Sequence, residues 1–239
     1  MAHYFFRSDE HQAIFATSPK CATQSIRHWL NRLLLGREGE TAGLDRLMVP
    51  HQQLRALPDY RLILFMRDPL RRLVSFYGMF VVRLDYAQHW RFADVDRRFD
   101  LTEKSFRQFV HILHHLKTHR FARQHHLVPQ LAGFESRAPD LVLSTDALAE
   151  SIGRLNAEFG TRAAVPHRHE QSYGPPLADA MEWTRDRIPC DPLPAPASFF
   201  DDELRETACG IYAEDVAIHR REIGPLLGED GLAVASPPT

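Results

Sequence analysis

The chain has 239 residues, 44% of them hydrophobic, enough for one substantial α/β core without requiring a second domain. A formal net charge of −2 and an isoelectric point near 6.7 argue against a general nucleic-acid binder, which would carry a basic excess. Three cysteines without paired spacing (Cys21, Cys190, Cys209) indicate neither a disulfide framework nor a zinc ribbon, and no stretch approaches the length of a membrane span.

The first predicted element is a short apolar strand, Ala13–Ala16. It breaks at Ser18-Pro19, presents Lys20, and passes through small and polar residues into a helix. That helix has apolar positions at Ile26, Trp29, Leu30, Leu33 and Leu34, with Gly36 as its stop. First-turn amides without helical partners, the positive end of the dipole and the Lys20 ammonium make this junction an anion site, with Thr23 and Ser25 as further hydroxyl donors. The expected ligand is a phosphate or a group shaped like one.

A polar turn over 37–43 leads to a mixed connector, Leu44–Pro58, that carries His51. The second strand, Arg61–Met66, runs directly into Arg67-Asp68-Pro69. Asp68 suits an N-cap, Pro69 the first helical position, and Leu70, Leu73, Val74 and Tyr77 the inward stripe. Arg67 therefore stands at the carboxyl end of a strand, with Ser75 about two turns into the next helix.

This helix is predicted to continue past Phe80, and another to span Ser105–Gln124. In the latter, His111, His114, His115 and His119 recur at helical spacing. His111 and His115 could chelate a metal from one face, but no carboxylate ligand adjoins them, so a polar face without metal is expected. Leu141–Ser144 is a third strand, followed by a helix capped by Asp146, with its stripe at Leu148, Ile152, Leu155 and Phe159 and its stop at Gly160. Gly174–Pro196 is proline-rich and loop-like, and Asp201–Ile223 a final helix. Residues 1–227 form the predicted domain and 228–239 a flexible tail. Strands alternating with helices predict a parallel sheet whose ligands bind beyond the carboxyl ends of the strands.

The first loop is not a Walker A motif, in which the lysine comes last. Pro19-Lys20 followed by small and polar residues resembles the 5′-phosphosulfate loop, Pro-Lys-x-Gly-Thr-Thr-Ser, of sulfotransferases that use 3′-phosphoadenosine 5′-phosphosulfate (PAPS). Arg67-Asp68-Pro69-x-x-Arg72-x-x-Ser75 resembles the 3′-phosphate segment of the same enzymes, in which the arginine and serine grip the ribose 3′-phosphate. His125–Gln130 is similar to a His-x-x-Pro-Gln segment of carbohydrate-type and bacterial members, and Ile211–Asp215 to their C-terminal helix. Pro166–Gly174 falls where the family has an Asn-x-Ser loop; the asparagine is missing, so only Ser172 carries over. The resemblance covers residues 12–220. Ala22 stands in place of the usual glycine and Gln24 in place of threonine, which puts the loop geometry in question, because glycine permits positive φ and close backbone approach.

The resemblance implies an α/β fold: a P-loop-like parallel sheet flanked by helices, one domain with helical insertions. It implies a PAPS-dependent sulfotransferase acting on a hydroxyl of a glycan or small metabolite. The donor-binding residues are then Lys20, Cys21, Ala22, Thr23, Gln24, Ser25, Arg67, Ser75 and Ser172, with Lys20 neutralising the leaving phosphate. Arg71 and Arg72 add to the local positive charge. No metal is needed. Cys21 is either a buried filler or a low-pKa thiol. The base is assigned to His51, in a His-x-x-Leu pattern similar to a His-x-x-Phe/Leu position of the family. Its other reading is a surface-loop histidine, and carboxylates such as Asp85 stay open. The N-terminal residues lack the apolar core of a signal peptide, and no Golgi-type anchor is seen, so a soluble cytoplasmic enzyme of bacterial type is expected. Two alternatives remain. One is a nucleotide-dependent phosphotransferase, disfavoured by the missing Gly-Lys-Ser and the lack of an obvious magnesium aspartate after an apolar strand. The other is a non-catalytic nucleotide-binding module in which Ala22 and Gln24 mark lost catalysis.

Overall fold

The computed structural model describes residues 3–38, 41–83, 103–116, 126–164 and 172–229. The chain forms two compact units, each assembled from separate stretches of sequence. The first comprises Met1–Asp68, Ala122–Glu170 and Ile218–Gly224; the second comprises Pro69–Phe121, Gln171–Ala217 and Pro225–Thr239.

The first unit holds a four-stranded sheet in the order β1 (Tyr4–Ser8), β2 (Ala13–Thr17), β3 (Arg61–Met66), β4 (Leu141–Ser144). β2, β3 and β4 run parallel, with Ala16 opposite Leu64 and Leu64 opposite Val142. β2 is buried along its whole length, as expected of an inner parallel strand read from a continuous apolar run. β1, which sequence reading missed, pairs antiparallel with β2 and caps the edge.

Side chains alternate between two cores with the two-residue period of a strand. Phe6, Phe15, Ile63, Phe65 and Leu143 face α1 (Thr23–Leu35) and a later helix through Ile26, Trp29, Leu30, Ile152 and Leu155. Phe5, Ile14, Ala16, Leu62, Leu64, Met66 and Val142 face the other way, toward Leu54, Phe134, Ile218 and Ile223. Trp29 sits edge-on to Phe15 and Phe65, with ring centroids 5.5 and 5.9 Å away. Gly36 ends α1 at φ 61°, and the Gly36 and Arg37 amides return to the carbonyls of Arg32 and Asn31.

In the second unit, α2 (Pro69–Tyr77) continues as a π-helical turn, Gly78–Val82. Beyond the predicted stripe it also buries Arg72, Ser75 and Phe76. The next helix, α3 (Phe106–Leu116), opens with a capping box: Ser105 Oγ accepts from the Gln108 amide at 3.4 Å, and Gln108 Oε1 from the Ser105 amide at 3.1 Å. His111, His114 and His115 lie on its exposed face, opposite buried Phe106, Phe109, Val110 and Leu113. The rest of the predicted Ser105–Gln124 helix, His119 included, lies outside the described residues.

α4 (Leu148–Phe159), in the first unit, follows β4 but is not capped by Asp146. Its N-cap is Ala147, and Ser144 Oγ accepts from the amides of Asp146 and Ala147. The Asp146 carboxylate is spent elsewhere, on Arg67 and the Asp68 amide. The final predicted helix is two, α5 (Asp202–Ile211) and α6 (Ala213–Glu222). They break at Tyr212, just after Gly210, the weakest helix former in the segment, and the Tyr212 ring is buried. Asp201 does cap α5, accepting from the Leu204 amide at 2.8 Å.

Candidate active site

β2 and β3 end side by side, with Thr17 opposite Phe65, so the segments that follow them emerge together at the carboxyl edge of the sheet. After β2 the backbone is positive in φ at Lys20 (69°) and Ala22 (49°) but not at Cys21 between them. Such alternation turns successive amides toward one concave side, the geometry of anion-binding nests. Ala22 is the N-cap of α1 and holds the left-handed conformation that a glycine would adopt freely, so the substitution preserves the loop at the expense of strain. No side chain caps α1 and its first turn carries no acidic residue, so the helix end keeps its positive character.

The loop is braced from within. The Thr23 hydroxyl donates to Ser18 O at 2.7 Å, so its proton is engaged by the loop, and Thr17 Oγ1 donates to Cys21 O at 3.3 Å. The Cys21 amide returns to Ser18 O at 3.2 Å. Cys21 is fully buried, with Sγ 3.1 Å from Ser18 Oγ and donating to Gln130 Oε1 at 2.8 Å. Its thiol is part of the loop's packing. Gln24 is exposed, Ser25 is buried on the first turn, and Lys20 is half-buried.

Arg67 follows β3, where the sequence expected it, and the structure joins it to the Lys20 loop: Nη1 donates to Lys20 O at 3.1 Å. On its other side Nε stands 3.7 Å from Asp146 Oδ1, while Asp146 Oδ2 accepts from the Asp68 amide at 3.1 Å. Asp146 stands two residues past the apolar β4, in the place where a magnesium aspartate would follow a strand. Its carboxylate is engaged by a guanidinium and an amide.

His51 opens a short 3₁₀ turn, His51–Ala56, after Pro50 and is half-buried. It flanks Gly133, where a methyl group would come 4.0 Å from His51 Cβ and 3.7 Å from His3 Nδ1. The Glu135 carboxylate accepts from the Gly133 amide at 2.9 Å. That bond, with lesser help from the charges of His51 and His3, holds Glu135 below the usual carboxylate range. His51 thus lies beside the turn that begins at Gln130.

Ser75 and Ser172 belong to the second unit. Ser75 is buried in α2; Ser172 is exposed, its carbonyl accepting from the Leu193 amide at 3.1 Å. Arg72, expected among the ligand-facing charges, is instead buried in that unit. There its charge and that of buried Asp215 act on Tyr212, whose hydroxyl is pushed up to about 12, chiefly by burial. Asp85, His125 and residues 166–171 lie outside the described residues.

Gln130, to which the sequence alone assigns no role, joins the Arg67 segment. Its carboxamide accepts from the Arg67 amide and donates to the Arg67 carbonyl, both at 2.9 Å. Its place at the end of the His-x-x-Pro-Gln segment was the available signal.

Among the described residues, no group of three or more His, Cys, Asp or Glu is placed to hold a metal ion. None of the described helices is long and apolar enough to cross a membrane. No curated protein and no solved structure matches the chain. A family model does: the sulfotransferase family, over residues 3–174. That span takes in the sheet, the Lys20 loop, Arg67, Ser75, Gln130 and Ser172. The chain belongs to the sulfotransferase family.

Proposed function

We propose that this protein transfers a sulfuryl group from PAPS to a hydroxyl of a glycan or small metabolite. The observation that carries the reading is the direct contact between the two predicted phosphate-binding segments, Arg67 Nη1 to Lys20 O at 3.1 Å, at the carboxyl edge of the parallel strands. The donor set fits the nucleotide: an uncapped helix end and a lysine for the 5′ side, a guanidinium for the 3′-phosphate.

When bound, the donor supplies a sulfuryl group on a good leaving phosphate. The acceptor oxygen forms a bond to sulfur as the bond from sulfur to the bridging oxygen breaks, and adenosine 3′,5′-bisphosphate leaves. Lys20 neutralises the charge that develops on the bridging oxygen, a preorganised electrostatic contribution. His51 takes the acceptor proton, in the range where imidazole titrates. Ala22, Thr23, Gln24 and Ser25 present the first-turn amides, and Cys21 holds the loop in shape. The enzyme is read as cytoplasmic.

Asp146 after β4 favours a second reading, a phosphotransferase with a metal-binding aspartate. Its pairing with Arg67 and the Asp68 amide speaks for a positioning role instead. The test is sulfation of a panel of glycan, phenol and lipid hydroxyls, read by mass spectrometry with divalent cations chelated. Lys20→Ala should lower turnover by ~10²–10³ while the protein stays folded. Near-normal turnover by folded Lys20→Ala, or transfer of phosphate from ATP with magnesium, would overturn the proposal.

A further inference from the structure

Gln130 is fully buried in the sheet-bearing unit, at the start of a turn closed by the Ala132 amide on Pro129 O at 3.1 Å. Its backbone carbonyl lies 2.9 Å from His3 Nε2, so the residue is tethered toward β1 as well. The side-chain amide can take only one orientation. Arg67 N–H needs an acceptor and Arg67 C=O needs a donor, so Oε1 must face the first and Nε2 the second, as observed at 2.9 Å each. This pairing copies what a neighbouring strand would offer, at the residue immediately after β3 ends. The same Oε1 receives the Cys21 thiol at 2.8 Å, and Cys21 lies between Lys20 and Ala22, the two residues in left-handed conformation. One carboxamide therefore grips the backbone of the arginine segment and the middle of the lysine loop.

We propose that Gln130 is the positioning residue that fixes these two segments relative to each other, so that the sites for the two phosphate-bearing ends of the donor keep one separation. The ligand in this inference is the donor nucleotide of the proposed function, on which it rests; the bridge between the segments is independent of that reading. Without the carboxamide, Arg67 N–H and C=O and the Cys21 thiol each lose a buried partner, and the two segments keep the bond from Arg67 Nη1 to Lys20 O but lose the bridge that fixes their backbones.

The test uses Gln130→Glu, whose protonated acid is a near-copy of the carboxamide. The O–H donates to Arg67 O and the carbonyl accepts from Arg67 N and Cys21. Ionised, it cannot donate and sets a charge against the Arg67 carbonyl. The titratable residues that face it include Cys21, Arg67 and, across the backbone carbonyl, His3. Calorimetry with adenosine 3′,5′-bisphosphate should show Gln130→Glu weaker than wild type by at least about tenfold near pH 8, and within about threefold near pH 5. Equal affinities near pH 8, or a deficit that is the same at both pH values, would overturn the inference. A purely structural residue would lower the melting temperature and leave affinity unchanged.

Hydrogen exchange of the ligand-free protein keeps the test separate from the donor reading. In Gln130→Ala, amides in 18–25 and in 66–68 should exchange faster together, by about tenfold or more. Acceleration confined to 66–68, or none, overturns the inference even if wild type binds no nucleotide. Failure of wild type to bind the bisphosphate with the exchange result intact refutes the donor reading alone.

Discussion

Ala22 offers the sharpest test of the loop. It is an alanine at φ 49°, ψ 29°, at the N-cap of α1 with no side-chain cap. Holding an L-residue in this conformation costs about 1–2 kcal/mol relative to the right-handed one. Glycine escapes that cost but loses about 0.5–1 kcal/mol more backbone entropy on folding. Ala22→Gly should therefore stabilise the protein by about 0.5–1 kcal/mol, raising the melting temperature by ~1–4 °C for a chain of this size. Ala147 is the internal control. It is also an uncapped alanine at a helix N-cap, but at φ −115°. Any general preference for glycine over alanine at a cap acts at both sites, so the difference between Ala22→Gly and Ala147→Gly isolates the left-handed conformation. Differential scanning calorimetry and urea titration would measure it. Equal effects at the two caps, or destabilisation by Ala22→Gly, would refute the loop geometry argued above.

Other predictions follow from the same contacts. Asp146→Asn keeps an acceptor for the Asp68 amide but removes the charge 3.7 Å from Arg67 Nε, so affinity for adenosine 3′,5′-bisphosphate should rise about two- to fivefold. Unchanged or weaker binding by calorimetry would remove Arg67 from the phosphate site. His51→Ala should lower kcat by ~10²–10⁴ with bisphosphate affinity intact, and an unchanged rate and pH profile would reassign the base. The Arg107 side chain, and then the Leu204 amide, hold the Asp201 carboxyl below the usual carboxylate range. Its contribution to stability is full above that range, near pH ~4, and is lost as pH falls through it and below. Acid unfolding of Asp201→Asn should show a shallower acid limb and lower stability at neutral pH than wild type; superimposable curves would contradict this.

The inner strands were legible because burial on both faces leaves an uninterrupted apolar run, as in Ile14-Phe15-Ala16 and Leu62–Met66. β1 was not. Tyr4-Phe5-Phe6-Arg7-Ser8 has neither a long apolar run nor strict alternation, and it is ordered by pairing with β2 at the sheet edge. The places of Lys20 and Arg67 just past β2 and β3 were legible because strand ends and helix starts have local signatures. The partners that join them were not. The Gln130 side chain meets Arg67 across 63 positions of chain, and Asp68 and Asp146 meet across 78. An aspartate before a helix reads locally as a cap; only the fold brings up the guanidinium that claims it. The break at Tyr212 was hidden in the same way, since its cause includes the burial of that ring.

The most direct measurement of the central claim compares adenosine 3′,5′-bisphosphate with ADP by calorimetry, on wild type and Arg67→Ala. If Arg67 grips the 3′-phosphate as proposed, the bisphosphate gains charge-assisted hydrogen bonds that ADP cannot make, and about 1.4 kcal/mol already corresponds to a factor of ten. The account predicts at least about tenfold tighter binding of the bisphosphate, with most of the difference erased in Arg67→Ala and weak ADP binding left nearly intact. Equal affinity for the two nucleotides, or a preference for ATP with magnesium, would contradict it.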